Sequence, residues 1–190
     1  MNHLKLFENF EPEFSQIKMK INSAIGEFMF RFASHGRKSV RSEFIEKPWP
    51  WHASRGKEIG IFYVLRDLTN DAQEINKLNP RANFPHFEII LCCQAPQDQR
   101  HEPLWMTYVS FLKTGVPKLI QKIESISTSI SASSEDNFVS SEVLKNLDDQ
   151  QIMDEILNSG FTDDYQENEF SEPINFLHSP NFKIEIRIEN

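Results

Sequence analysis

The chain has 190 residues, 39% of them apolar and 25% charged, with six glycines and a formal net charge of −8. Such a chain is long enough to bury a core as one domain and too apolar to be disordered; no apolar run approaches the ~20 residues of a membrane-spanning helix. Charge is unevenly spread: residues 1–123 hold 17 Lys/Arg against 13 Asp/Glu, and residues 124–190 hold 3 against 15.

Residues 11–25 place Phe14, Ile17, Ile21 and Ile25 at helical spacing, with Pro12 in the first turn. Gly26 is expected to close that helix. Phe28, Phe30 and Phe32 then alternate with Met29 and Arg31, which predicts a strand. Residues 40–46 read as a weaker strand, and the two prolines of KPWPWH forbid regular pairing after it. EIGIFYVLRD (58–67) is apolar on both faces from Ile59 to Leu65 and predicts a central strand. A short helix follows, with Asn70 as its cap and Gln73 three residues on. HFEIILCC (86–93) is a further strand, in which Cys92 and Cys93 point to opposite faces and form no disulfide with each other.

EPLWMTYVSFLKTG puts Trp105, Tyr108, Val109 and Leu112 on one helical face and is expected to end near Gly115, with Pro117 starting a continuation. SISTSISASSEDN (125–137) is Ser-rich and predicts a flexible loop. SEVLKNLDDQQIMDEILNSG pairs Leu144 with Leu147, then Met153 with Ile156 and Leu157, as one helix broken in phase or two short ones, closed by Gly160. FKIEIRIE (182–189) alternates strictly and predicts a strand with one buried face. The expected fold is a single α+β domain over 1–190. It has a mainly antiparallel sheet of four to six strands, helices packed on one face and an acidic helical region at about 140–172.

Catalytic signatures are missing. The glycines at 26, 36, 56, 60, 115 and 160 give neither G-x-G-x-x-G nor a phosphate-cradling P-loop. Adjacent cysteines lack zinc spacing, and TDDYQENEF lacks the glycine of a calcium loop. No cofactor and no metal are expected. His86, Glu88 and Cys92 share a strand face, but six residues separate His86 from Cys92, about 20 Å at strand rise. The start MNHLKLFENFEPEF has no basic-then-apolar leader, and with the unpaired cysteines this predicts a cytoplasmic location.

Two partial resemblances bear on function. Ser127–Thr128–Ser129 with Glu167-x-Glu169 resembles the S-T-S and E-x-E elements of arginine-targeting ADP-ribosyltransferases. That resemblance implies NAD chemistry with Glu169 catalytic and Arg31 or Arg66 on the dinucleotide, although the family's S-T-S lies on a packed strand and this one lies in a Ser-rich run. KEIGIFYVLRDL followed by EPLWMTYVSFLKTG is similar to the strand and Trp-bearing helix of suppressor-of-fused-like domains, which occur among bacterial toxin-immunity proteins. It consists of a hydrophobic rhythm and one tryptophan, and assigns no family.

Charge layout supplies the remaining argument. Residues 35–57 carry six Lys/Arg with Trp49 and Trp51, a pattern that suits single-stranded nucleic acid. The whole-chain pI of about 5.3 opposes that reading. Residues 142–172 carry ten Asp/Glu and one Lys, which suits steering toward a basic protein. The expectation is a non-catalytic protein-binding domain, of the kind that includes immunity and antitoxin-type inhibitors and adaptors. Asp148, Asp149, Asp154, Glu155, Asp163 and Asp164 would carry the electrostatics, with Trp49 and Trp51 as aromatic anchors.

Overall fold

The computed structural model describes residues 10–33, 41–44, 60–97, 99–135, 141–165, 174–179 and 182–189. Within them run helix α1 (Phe10–Ala33), strands β1 (Arg41–Phe44) and β2 (Gly60–Asp67), helix α2 (Thr69–Leu78) and strand β3 (Phe87–Pro96). A 3-10 turn (Gln99–His101) leads into α3 (Glu102–Ser110), a π-helical turn (Phe111–Gly115) and α4 (Val116–Glu124). Strand β4 (Ile130–Glu135), helices α5 (Ser141–Asn146) and α6 (Asp149–Ser159), and strands β5 (Phe161–Tyr165), β6 (Ile174–His178) and β7 (Phe182–Ile188) complete the order.

The fold is α+β. Six strands, β2 to β7, pair antiparallel, and β1 adds a seventh, parallel to β2. Strand β3 organises the sheet because it has three neighbours. Residues 87–94 pair β2, residues 87–91 pair β7, and residues 94–96 pair β6. All ten of its residues are buried, which explains why its sequence is apolar on both faces. Phe87, Ile89, Leu91, Cys93 and Ala95 form one face and enter the main core with Ile61, Tyr63 and Leu65 of β2. Phe182, Ile184 and Ile186 of β7 join them in register opposite Leu91, Ile89 and Phe87. Each fully buried Ile or Phe contributes about 1.5–3 kcal/mol over an exposed one, so this layer dominates the stability.

Helices close that face. Ile17, Ile21 and Ile25 of α1, Trp105, Tyr108 and Val109 of α3, Leu119 and Ile123 of α4, and Ile152, Met153 and Ile156 of α6 belong to the same core. Helix α1 runs through the segment whose alternating phenylalanines predict a strand. The 3.6-residue stripe Ile17–Ile21–Ile25 continues to Phe28, whose ring lies 5.8 Å from that of Phe111. Packing on the core therefore overrides both the alternation and the ~1 kcal/mol that a glycine costs inside a helix. Gly26 meets nothing within 4 Å at its missing Cβ, so no close approach demands it.

Three further expectations are corrected. The N-cap of helix α2 is not Asn70 but Leu68, which makes no side-chain cap bond, while Asp67 just before it accepts with Oδ1 from Thr69 N at 3.1 Å and Thr69 Oγ1 at 2.7 Å. The helix starting at Glu102 does not stop at Gly115. Val116 N bonds back to Phe111 O, five residues earlier, and this π turn carries the helix onward through Pro117. The Ser-rich run is not wholly loop, since its residues 130–135 form β4 in full register with β7. Buried Ile130 and half-buried Ala132 alternate with exposed Ser131 and Ser133, a strand pattern written in small side chains.

Phe182–Ile188 alternates buried and half-buried as its sequence predicts. The acidic region expected to be helical over about 140–172 is corrected in part: it forms two short helices up to Ser159, and Phe161–Tyr165 then form strand β5 because they pair with β6. Gly160 ends α6 in an extended conformation (φ −66°, ψ 154°). A Cβ there would lie 2.6 Å from Leu177 Cδ1 and 2.9 Å from His178 O, so the packing of α6's end on β6 requires glycine. No described helix is long and apolar enough to cross a membrane.

Candidate functional site: an acid-sided cleft

Where β3 ends, the chain turns through Gln97 and the 3-10 segment into α3, and α6 packs beside α3. A cleft of about 370 Å³ opens between them, lined by Gln97, Gln99, Glu102, Trp105, Gln150, Met153, Asp154 and Leu157. Its floor is apolar: Trp105 and Met153 are 2% and 5% exposed and belong to the core. Its rim is two carboxylates and three carboxamides, with no Lys, Arg or His among the lining residues.

Local chemistry fixes both walls. Pro103 suits the first turn of α3, and Glu102 beside it places a negative charge at the positive end of the helix dipole. Helix α6 begins with a reciprocal capping box. Asp148 Oδ1 accepts from Gln151 N at 2.8 Å, and Gln151 Oε1 accepts from Asp148 N at 3.0 Å. Lys113, projecting from the π turn, donates to Asp149 Oδ1 at 2.8 Å and to Leu147 O at 3.1 Å. These bonds hold the start of α6 against the α3 helix and leave its next turns facing the cleft.

The expected site residues separate accordingly. Asp148 and Asp149 are engaged within the fold, as cap and as Lys113 partner. Asp154 and Glu155 are exposed five and six residues beyond Asp149, Asp154 accepting from Gln150 Nε2 at 3.1 Å and lining the cleft. Asp163 and Asp164 lie on β5, in register with Phe176 and Asn175. Trp49 and Trp51, and most of the basic segment 35–57, lie outside the described residues; Arg41 falls on β1. Sequence reasoning reads Trp105 as core and misses Glu102, Gln97, Gln99 and Gln150 as site residues. These come from separate elements, and only the packing of α3 on α6 brings them together.

Other reactive groups are built into the structure. Cys92 and Cys93 are buried and not disulfide-bonded, and burial first, with neighbouring Cys92 second, pushes the Cys93 thiol well above its ordinary pKa. His86 is buried, its pKa lowered by desolvation, and its Nδ1 accepts from Ile188 N at 3.1 Å, tying β7 to the start of β3. Arg66 donates to Glu88 Oε2 at 2.6 Å. Ser127 and Ser129 sit in the turn before β4, their hydroxyls 2.9 Å apart, rather than on a strand. Glu167 and Glu169 lie outside the described residues. Among the described residues no three His, Cys, Asp or Glu side chains group as a metal site would need. In comparisons with protein families, curated proteins and solved structures, nothing matches this chain.

Proposed function

We propose that this chain acts by binding another protein, with the acid-sided cleft and the adjoining face of α6 meeting a basic surface. The observation that carries this reading is the state of three carboxylates. Glu102, Asp154 and Glu155 are exposed, and among the described residues none takes part in an ion pair. Acids that stabilise a fold find cations or backbone donors; acids left to water raise the local potential and steer an oppositely charged partner. The sequence supports the same reading through its net charge of −8. An inhibitor, immunity-type factor or adaptor in the cytoplasm fits such a surface.

The test is affinity capture from source-cell lysate, nuclease-treated and untreated, at low and high salt, with the native protein beside an Asp154→Lys/Glu155→Lys variant. A basic protein held by the native chain, released at high salt and lost by the variant supports the reading. Identical recovery by both proteins overturns it, and recovery that depends on intact nucleic acid transfers the function to the basic segment 35–57.

A further inference from the structure

We infer that the cleft receives a single arginine side chain of the partner protein, an inference that rests on the protein-binding reading and specifies its contact. Size argues first. Sites for small molecules span roughly 300–1,000 Å³, and this cleft, at about 370 Å³, suits one long side chain better than a larger ligand.

Chemistry argues second. An occupant must lay an apolar stem on Trp105, Met153 and Leu157 and present donors to the carboxylates of Glu102 and Asp154. Lysine and arginine both have such stems, but their heads differ. Ammonium offers three donors around a point, whereas guanidinium offers five in a plane and can serve acceptors on opposite walls at once. Here the acceptors stand on opposite walls: Glu102 and Gln99 on the α3 side, Gln150 and Asp154 on α6. Trp105 is only 2% exposed, so it floors the cleft and leaves the carboxylates to supply the charge recognition.

The experiment is an NMR titration of isotope-labelled full chain at low salt with acetyl-Gly-Arg-Gly-amide, its lysine and citrulline counterparts, and argininamide. The arginine peptide should shift the backbone amides of Gln99, Gln150 and Asp154 and bind about tenfold more tightly than the citrulline peptide, the worth of charge-assisted hydrogen bonds. A Glu102→Gln/Asp154→Asn variant, whose spectrum reports that it is folded, should lose that preference. Equal binding of arginine and citrulline peptides, shifts confined to other residues, or an unaltered preference in the variant overturns the inference. Argininamide binding as tightly as the tripeptide replaces a protein partner with a small guanidine. If the peptides fail while the capture experiment still responds to Asp154→Lys/Glu155→Lys, only the arginine assignment falls; if both fail, the protein-binding reading falls with it.

Discussion

Two sets of carboxylates coexist in this molecule, and composition alone makes them look identical. Glu88, Asp67, Asp148 and Asp149 each hold a cation or a backbone donor: Arg66 at 2.6 Å, Lys18 at 2.7 Å, Gln151 N at 2.8 Å and Lys113 at 2.8 Å. Glu102 and Asp154 line one cleft, Glu155 follows Asp154 on α6, and all three are exposed and take no part in an ion pair among the described residues. The first set fixes where elements begin and how they cross. The second set contributes a local field and little cohesion. The contrast shows that an acidic run is not a binding surface until the acids already used by the fold have been subtracted from it.

Removing a member of the first set should therefore cost stability in proportion to its burial. Glu88 is the extreme case, with a side chain 8% exposed between Arg66 and Lys183. Glu88→Ala strands Arg66 against the sheet, and urea unfolding should show a loss of about 2–3 kcal/mol, below the full cost of a buried pair because Arg66 keeps some water. Should the loss stay under ~0.5 kcal/mol, the ion pair is incidental and the division between the sets fails at its strongest point.

Asp148→Ala removes one half of the capping box and should cost about 1 kcal/mol. It should also loosen the start of α6, which amide exchange of Gln151 and Ile152 would report. Native-like protection at those amides would show that Lys113 alone holds the helix start. Asp67 gives a pH-dependent version of the same test. Burial raises its pKa, but Lys18 and the two Thr69 donors together outweigh burial and bring it below the ordinary 3.8. Its contribution is therefore fully present above that value and is lost as pH falls through the lower folded pKa. Asp67→Asn should cost about 0.5–1 kcal/mol at neutral pH and less at acid pH, so the two stability curves converge as pH drops.

How much of this was legible beforehand differs by element. Strand β7 announces itself because one face is buried and one is wet, and β3 because all ten of its residues are buried and it has no wet face. The second half of α1 is hidden because Phe28, Phe30 and Phe32 satisfy a two-residue period while the segment follows the helical stripe that reaches Phe111. Strand β4 is hidden for the opposite reason, its alternation being carried by Ile130 and Ala132 among serines. Of the site, Asp154 and Glu155 are readable from charge. Glu102, Gln99 and Gln150 are not, because their proximity is a product of α3 packing on α6 and no sequence spacing encodes it.

The smallest expected effect is the most telling. Asp154→Asn together with Glu155→Gln deletes two charges while keeping side-chain shape, and Asp154's contact with Gln150 can be remade by an amide. Both residues are exposed on α6, away from its cap, so stability should move by less than ~0.5 kcal/mol in either direction. Relief of repulsion along the acidic helix would push the change toward stabilisation, and salt should narrow the gap between variant and native protein. A gain that vanishes at high salt would mean the native chain tolerates a small penalty to keep these charges unpaired, which a surface used only for folding has no reason to do. A loss of 1 kcal/mol or more would move Asp154 and Glu155 into the first set, and the cleft would then be a by-product of helix packing.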